Sequence, residues 1–263
     1  MFFEGEKKKE KVNTKIEKNK ELVVFFSQKV KNYLELVGMD QDKAKDIIEK
    51  NKDRIFFIYN KLKESRGKEV GDKKKLSYVK GEVSDQTIMD YVVIAVINEK
   101  VFLIEAELML GIATQESNLI NPPKKTDGRG PFQITLSTYL DLGERFFNIM
   151  TNFKEIEILN NQDKRNILYS KLFNAFKKDV PTDIPTQFVL ASLILQSKRL
   201  SVKNGKKKVI EFEPNNYKTI LERYNGHKKH KKRYAQEVLE RIKYLKIEGY
   251  GVQIKKSGIE SGD

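Results

Sequence analysis

Gly111-Ile-Ala-Thr-Gln-Glu-Ser-Asn118 and Asp127-Gly-Arg-Gly-Pro-Phe-Gln-Ile134 are the two stretches that decide the fold. The first ends a run that is apolar on nearly every side, which predicts a central, buried helix from about residue 104 to residue 116. The second is a glycine-rich turn that carries an amide side chain, and a short hairpin fits this irregular segment. Together they place one carboxylate, Glu116, at the end of a buried helix beside a loop.

Helical patterns extend outward from this centre in both directions. Ser84 is a good N-cap for a preceding helix that runs to about Asn98. No stretch has the sustained alternation of a sheet, so the predicted fold class is mainly α. Further helices are predicted over 136–150, 161–176, 185–199, 217–224 and 232–245.

The first 80 residues predict an α-helical N-terminal extension. Residues 1–20 are rich in Lys, Glu and Asn, which is typical of a solvated arm. Residues 22–37 and 42–62 have the spacing of two amphipathic helices, and we expect them to form a hairpin used for docking or spacing. The predicted organisation is an extension over 1–80, a catalytic domain over 81–250 and a flexible tail over 251–263.

The charge balance favours polyanionic partners. The chain has 51 basic and 37 acidic residues, a formal net charge of +14. Nucleic acid, anionic lipid and the acidic polymers of a bacterial cell wall fit this excess, although a Lys-rich composition equally reflects an AT-biased genome. The lysine clusters lack interleaved aromatic residues except near Tyr234, so base stacking is not indicated and nucleic acid is disfavoured as a partner.

Several classes of protein are excluded or disfavoured by composition. Without cysteine, the chain has no disulfide, thiol nucleophile or cysteine-based zinc site. The longest apolar run, 91–97, is too short for a transmembrane segment, and the acidic start does not fit a secretion signal. His227 and His230 are spaced like metal ligands, but neighbouring lysines would repel a cation. We therefore predict no metal and no cofactor.

Glu116 is the candidate catalytic residue. A glutamate at a helix end is usually solvated and inert. Here the helix is predicted to be buried, and its C-terminal end disfavours negative charge, so both effects raise the pKa of the carboxyl. Cleavage of a glycosidic bond needs such a proton donor for the leaving oxygen.

The run 88–118 resembles the catalytic helix pair of the soluble lytic transglycosylases and goose-type lysozymes. In that superfamily a Glu-Ser dipeptide ends a buried helix, and a turn of the form Gly-x-x-Gly-Leu-Met-Gln follows. Gly130 and Gln133 match this turn, while Pro131 and Phe132 replace the usual Leu and Met.

Two later motifs extend the resemblance over residues 84–248. Arg223-Tyr-Asn-Gly226 resembles the Tyr-Asn-(Ala/Gly)-Gly motif of the family, and Tyr234-Ala-Gln-Glu-Val-Leu239 resembles the Tyr-x-x-x-Val helix that follows it. The order and rough spacing of the motifs are those of the family. The chain departs from the family in the basic run 227–233, which makes the edge of the groove more basic.

The resemblance implies a lysozyme-like helical domain that acts as a peptidoglycan lytic transglycosylase. Glu116 would protonate the oxygen of the β-1,4 bond between N-acetylmuramic acid and N-acetylglucosamine. The same carboxylate would then take a proton from the muramoyl 6-hydroxyl, which gives a 1,6-anhydro end. The implied location is the periplasm or cell envelope, or a phage particle, with a removed signal or another delivery route. Residues 1–80 would recruit a cell-envelope or virion protein.

The resemblance also implies a set of substrate contacts. Ser117 would contact the glycan or steady Glu116, and Gln133 would bond an acetamido or hydroxyl group. Ser117 could equally serve as a polar group at the helix end, and Tyr234 as a core residue. The full predicted set is Ser117, Gly130, Phe132, Gln133, Tyr224, Asn225 and Tyr234, with Tyr224 and Asn225 facing Glu116.

Two other functions stay open at the level of sequence. Asp127 would act as a second carboxylate in a hydrolytic muramidase if the two carboxyls lay about 6.5–9.5 Å apart, as in inverting glycosidases. Its other interpretation is the first residue of an Asp-Gly turn. A noncatalytic binder of anionic polymers would use only the basic helical surface.

Overall fold

The computed structural model describes residues 26–67, 69–70, 76–120, 127–173, 179–203, 206–225 and 230–246. Within these ranges the chain forms eleven helices and three two-stranded ribbons, so the predicted mainly α fold class is confirmed. The helices are α1 (Gln28–Val37), α2 (Gln41–Lys50), α3 (Lys52–Glu64), α4 (Asp85–Phe102), α5 (Ala106–Ser117), α6 (Leu136–Met150), α7 (Glu157–Asn160), α8 (Gln162–Phe173), α9 (Ile184–Arg199), α10 (Pro214–Asn225) and α11 (Lys231–Leu245).

The strands form only local antiparallel ribbons. A hairpin was predicted near the glycine-rich turn, and β3 with β4 confirms it. The other two ribbons were not predicted from the sequence. The pairs are β1 (Glu69–Val70) with β2 (Leu76–Ser77), β3 (Gly128–Arg129) with β4 (Ile134–Thr135), and β5 (Leu200–Lys203) with β6 (Lys206–Val209).

Most predicted helices are confirmed, and their ends have clear causes. The Ser84 hydroxyl accepts a hydrogen bond from the Thr87 amide at 3.1 Å and caps α4. This helix continues past the predicted end at Asn98 because the left-handed backbone comes only at Leu103, with φ of 56°. The prediction of one helix over 42–62 was wrong. Asn51 divides it into α2 and α3, with its side-chain amide donating to the Ile47 carbonyl at 2.7 Å.

The core is centred on α4, α5 and α9, which are buried on nearly every side. Helices of this kind are enclosed by others rather than facing solvent. Residues of α1, α2 and α3 belong to the same buried cluster as those of the central helices. The described part of the predicted extension is therefore packed into one core with the predicted catalytic domain.

A buried ion cluster ties this N-terminal part to the central helices. The Arg54 guanidinium of α3 donates to Glu107 of α5 at 2.8 Å and to Glu99 of α4 at 2.8 Å. All three side chains are buried, and Glu99 also accepts from the Ala106 amide at the start of α5. The first turn of α5 is thus fixed by the N-terminal helices.

Some sequence predictions fall outside the described residues. These are the solvated arm over 1–20, the start of the first helix at residue 22, the tail over 251–263, Gly226 and His227. Among the described helices, none combines the length and apolar character that crossing a membrane requires.

Candidate functional site

Glu116 lies in the last turn of α5, where Asn118 ends the helix with φ of 51°. Its Oε1 atom accepts a hydrogen bond from the Tyr234 hydroxyl at 2.6 Å. The residue keeps some exposed surface, but its carboxyl is desolvated. Burial raises the pKa of Glu116 to about 7, and the hydrogen bond from Tyr234 offsets part of this rise.

Close packing of α5 against α11 brings the two side chains together. Gly111 faces α11, and a Cβ atom there would lie 3.1 Å from Ile242 Cγ1 and 3.5 Å from Val238 Cγ1. A side chain at this position would need α11 to shift outward. The absence of one lets α11 approach α5, so that the buried Tyr234 reaches Glu116.

Two tyrosines connect the acid to the glycine-rich hairpin. The ring of Tyr224, from α10, stacks on that of Tyr234 with centroids 6.4 Å apart and planes 15° apart. The Tyr224 hydroxyl donates to the Phe132 carbonyl at 3.3 Å. Burial and then the nearby charge of Glu116 raise the pKa of Tyr224 above its ordinary value. Both phenols therefore stay protonated near neutral pH.

The hairpin has a glycine where its geometry demands one. Gly130 has φ of 66°, and a Cβ atom there would lie 2.3 Å from Gln187 Cδ. Gln187, fully buried on α9, accepts from the Phe132 amide at 3.3 Å and donates to the Pro181 carbonyl at 2.6 Å. A side chain at Gly130 would displace the residue that anchors the loop.

Gln133, which was predicted to bind the glycan, uses its side-chain amide within the loop. The Gln133 side-chain amide donates to the Gly130 carbonyl at 2.7 Å, on a backbone with φ of 49°. The Phe132 ring is 1% exposed and meets Phe188 edge to face at 5.0 Å. Phe132 reaches the site through its carbonyl, because its ring belongs to the core.

The remaining predicted residues are Ser117, Asn225 and Asp127. Ser117 is buried, and its hydroxyl donates to the Ala113 carbonyl of its own helix at 3.0 Å. Asn225 ends α10 and is partly buried, next to Tyr224 in the chain. Asp127 is exposed immediately before β3. The glycan contacts predicted for Ser117 and Asn225, and the role of Asp127 as a second carboxylate, stay predictions.

Sequence reasoning missed three side chains that shape the site. Gln187 could have been noticed as one of two amides, with Gln196, in the largely apolar run of α9. Glu237 and Arg241 are hydrogen-bonded to the side chain of Gln115, the residue before Glu116. Their spacing of four residues on α11 was the available signal. Tyr234 packs in the core, since it is 7% exposed, and its hydroxyl contacts Glu116, a role that was not predicted for it. Its predicted contact with the glycan stays a prediction.

The arrangement can deliver one proton and take it back. A carboxyl with a pKa of about 7 is populated in both protonation states at neutral pH. No group of three His, Asp or Glu side chains that could hold a metal occurs within the part of the chain described.

No protein-family model matches the chain, and comparison with curated proteins and solved structures also finds no match. The resemblance to the lytic transglycosylases therefore depends on the motifs in the sequence. The geometry at Glu116 is an independent observation, because it follows from the packing of α5 against α11.

Proposed function

We propose that this protein is a peptidoglycan lytic transglycosylase in which Glu116 is the single catalytic acid and base. The observation that carries the proposal is the desolvated carboxyl of Glu116, which is held by the Tyr234 hydroxyl and has a pKa of about 7. An acid of this kind can protonate a glycosidic oxygen at neutral pH.

The reaction needs the same carboxyl in two states. Protonated Glu116 gives its proton to the oxygen that leaves as the C1–O bond of N-acetylmuramic acid breaks. The resulting carboxylate then takes the proton of the muramoyl 6-hydroxyl as that oxygen bonds to C1. A 1,6-anhydro ring forms, no water is consumed, and Glu116 is protonated again.

Tyr234 holds the carboxyl without supplying a full positive charge. Its hydroxyl donates to Oε1, and no other hydrogen bond to the Glu116 carboxyl occurs among the described residues. A neutral donor stabilises the carboxylate less than a cation would, so the pKa stays high enough for proton donation. The second oxygen is then the one that would meet the glycan.

The net charge of +14 supports the choice of substrate class. Peptidoglycan and its attached polymers carry carboxylates and phosphates, and a basic protein is attracted to such a surface at low salt. This attraction would also serve a noncatalytic binder. Loss of binding with added salt therefore does not distinguish the two functions, whereas the products formed do.

The test is incubation with purified sacculi, followed by mass analysis of the released muropeptides. We expect anhydro-muropeptides from the wild type and none from Glu116→Gln, with Glu144→Gln, an exposed residue of α6, as the matched control. Reducing ends that disappear in Asp127→Asn would instead identify a hydrolytic muramidase. Intact sacculi after treatment with wild-type protein would reject a wall-cleaving enzyme.

A further inference from the structure

We propose that Gln115 is the positioning residue of this site, because it fixes the rotation of the last turn of α5 and thereby aims Glu116 at Tyr234. Its effect on catalysis rests on the proposed function, whereas its effect on the Glu116 carboxyl does not. The two can therefore be measured separately.

The Gln115 amide bridges an anion and a cation on α11. Its Nε2 donates to Glu237 Oε2 at 2.8 Å, and its Oε1 accepts from Arg241 Nε at 2.8 Å. Glu237 also accepts from Arg233 at 2.8 Å on the same helix. Both bonds of the amide involve a charged partner, which makes them stronger than bonds between neutral groups.

Residues outside α5 hold the Arg241 partner of the bridge in place. The Arg241 guanidinium is buried and lies 4.7 Å from the centre of the Tyr78 ring. The Tyr78 ring in turn packs against Tyr244 with centroids 4.8 Å apart. This support comes from outside α5, so the bridge can act on α5 as a fixed point.

The register of the two helices explains why a second attachment matters. Tyr234, Glu237 and Arg241 follow one another at spacings of three and four residues, so they share one face of α11. Gln115 and Glu116 are consecutive and point about 100° apart around α5. A contact at each of the two positions restricts the rotation of the turn more than the bond to Tyr234 alone would.

Only an amide satisfies both partners at this position. A glutamate would place a second carboxylate against Glu237, and a lysine would place a second cation against Arg241. Methionine has a similar length but can make neither hydrogen bond, which would leave the buried Arg241 without this acceptor. Gln115→Met is therefore the variant that removes the bridge and keeps the volume.

Loss of the bridge is expected to lower the pKa of Glu116. Burial is the larger cause of its raised pKa, and the bond from Tyr234 is the smaller, opposing one. If the last turn rotates, both weaken, and the loss of burial dominates. The pKa of Glu116 then falls toward its ordinary value.

The experiment compares Gln115→Met with Gln236→Met, which removes an exposed amide of α11 that donates to Glu240 at 3.3 Å. Carbon-13 NMR of labelled glutamate reports the pKa of Glu116, and sacculus cleavage reports kcat and KM. For Gln115→Met we expect the pKa to fall by about one unit and kcat to fall about tenfold with KM nearly unchanged. Gln236→Met should match the wild type. If Glu116 titrates in folded Gln115→Met with the same pKa as in the wild type, the proposal is overturned.

A charge exchange keeps the test decisive if Gln115→Met does not fold. Gln115→Glu alone brings two carboxylates together, whereas Gln115→Glu with Glu237→Gln exchanges donor and acceptor and rebuilds both bonds. We expect the double variant to recover about tenfold in kcat over the single one, each at its own pH optimum. No recovery would contradict the bridge. If the wild type leaves sacculi intact while the pKa still shifts in Gln115→Met, the proposed function fails and the positioning role stands.

Discussion

The two ends of α5 each hold a glutamate in a desolvated position, but with different partners. At the first turn, Glu107 pairs with Arg54, which also pairs with Glu99. At the last turn, Glu116 accepts a hydrogen bond from the neutral Tyr234 hydroxyl. The helix, the residue type and the desolvation are shared, so the partner is what separates the two.

The comparison shows that the partner of a desolvated glutamate determines whether the residue forms a structural ion pair or keeps a raised pKa. Burial alone would lower the pKa of Arg54, but its hydrogen bonds to Glu107 and Glu99 raise it above its ordinary value. The guanidinium therefore stays charged, and its bonds to the two glutamates join α3, α4 and α5. A phenol cannot compensate desolvation in the same way, and Glu116 keeps a pKa of about 7. One end of the helix is an anchor, and the other holds a carboxyl that can carry a proton near neutral pH.

The largest expected effect comes from breaking the anchor. Arg54→Met leaves Glu99 and Glu107 buried without their cation, and removing one partner of a buried ion pair costs about 4 kcal/mol of unfolding free energy. Urea denaturation measures it. Arg145→Met, which removes an exposed i,i+4 pair with Asp141, should cost about 0.5 kcal/mol or less. If Arg54→Met lost no more unfolding free energy than this control, the first turn of α5 would not be an anchor and the two ends of the helix would not differ as described.

The next effect concerns stability against pH at the other end. A carboxyl whose pKa is raised from 4.5 to about 7 by folding binds its proton more tightly in the folded state, so stability falls as pH rises through that window. Glu116→Gln removes this dependence, and we expect it to be more stable than the wild type by about 3 kcal/mol above pH 7 but not below pH 4.5. Denaturation at pH 4 and pH 8 measures the difference, with Glu144→Gln as the control. Equal stability changes at both pH values would show that Glu116 is not desolvated.

The smallest effect is expected for the tyrosine. The hydrogen bond from Tyr234 lowers the pKa of Glu116, so Tyr234→Phe should raise it above about 7 by roughly half a unit and move the alkaline limb of the pH–rate profile upward. Tyr59→Phe is the matched control, because the Tyr59 hydroxyl accepts a hydrogen bond from the exposed Lys63. A downward shift of the limb would mean that Tyr234 does not act on the carboxylate form.

The sequence was sufficient for features that depend on local pattern. The apolar run before Glu116 predicts a buried helix, and the glycine-rich turn predicts the hairpin that Gly130 completes. The contact between Glu116 and Tyr234, which are 118 residues apart, could not be derived in this way, because it depends on the relative rotation of α5 and α11. The break at Asn51 escaped for a related reason, since the apolar spacing continues through it.

The ribbon of β5 and β6 shows a second kind of limit. The strand β5, Leu-Ser-Val-Lys, alternates over only four residues, and β6 begins with three lysines, so the pattern of side chains is too short to indicate a sheet. The sequence between the two strands, Asn204-Gly205, does favour a hairpin, and this signal was missed. The bridge through Gln115 was missed because a polar residue at a helix end has many solvated interpretations.

The most direct test of the account is the titration of the Glu116 carboxyl in the folded protein, followed by carbon-13 NMR with labelled glutamate and assigned by comparison with Glu116→Gln. We predict one glutamate resonance that titrates with a midpoint of about 7 and is missing from the variant. A Glu116 resonance that titrates near 4.5, as solvated glutamates do, would contradict the claim that this side chain is a proton donor at neutral pH.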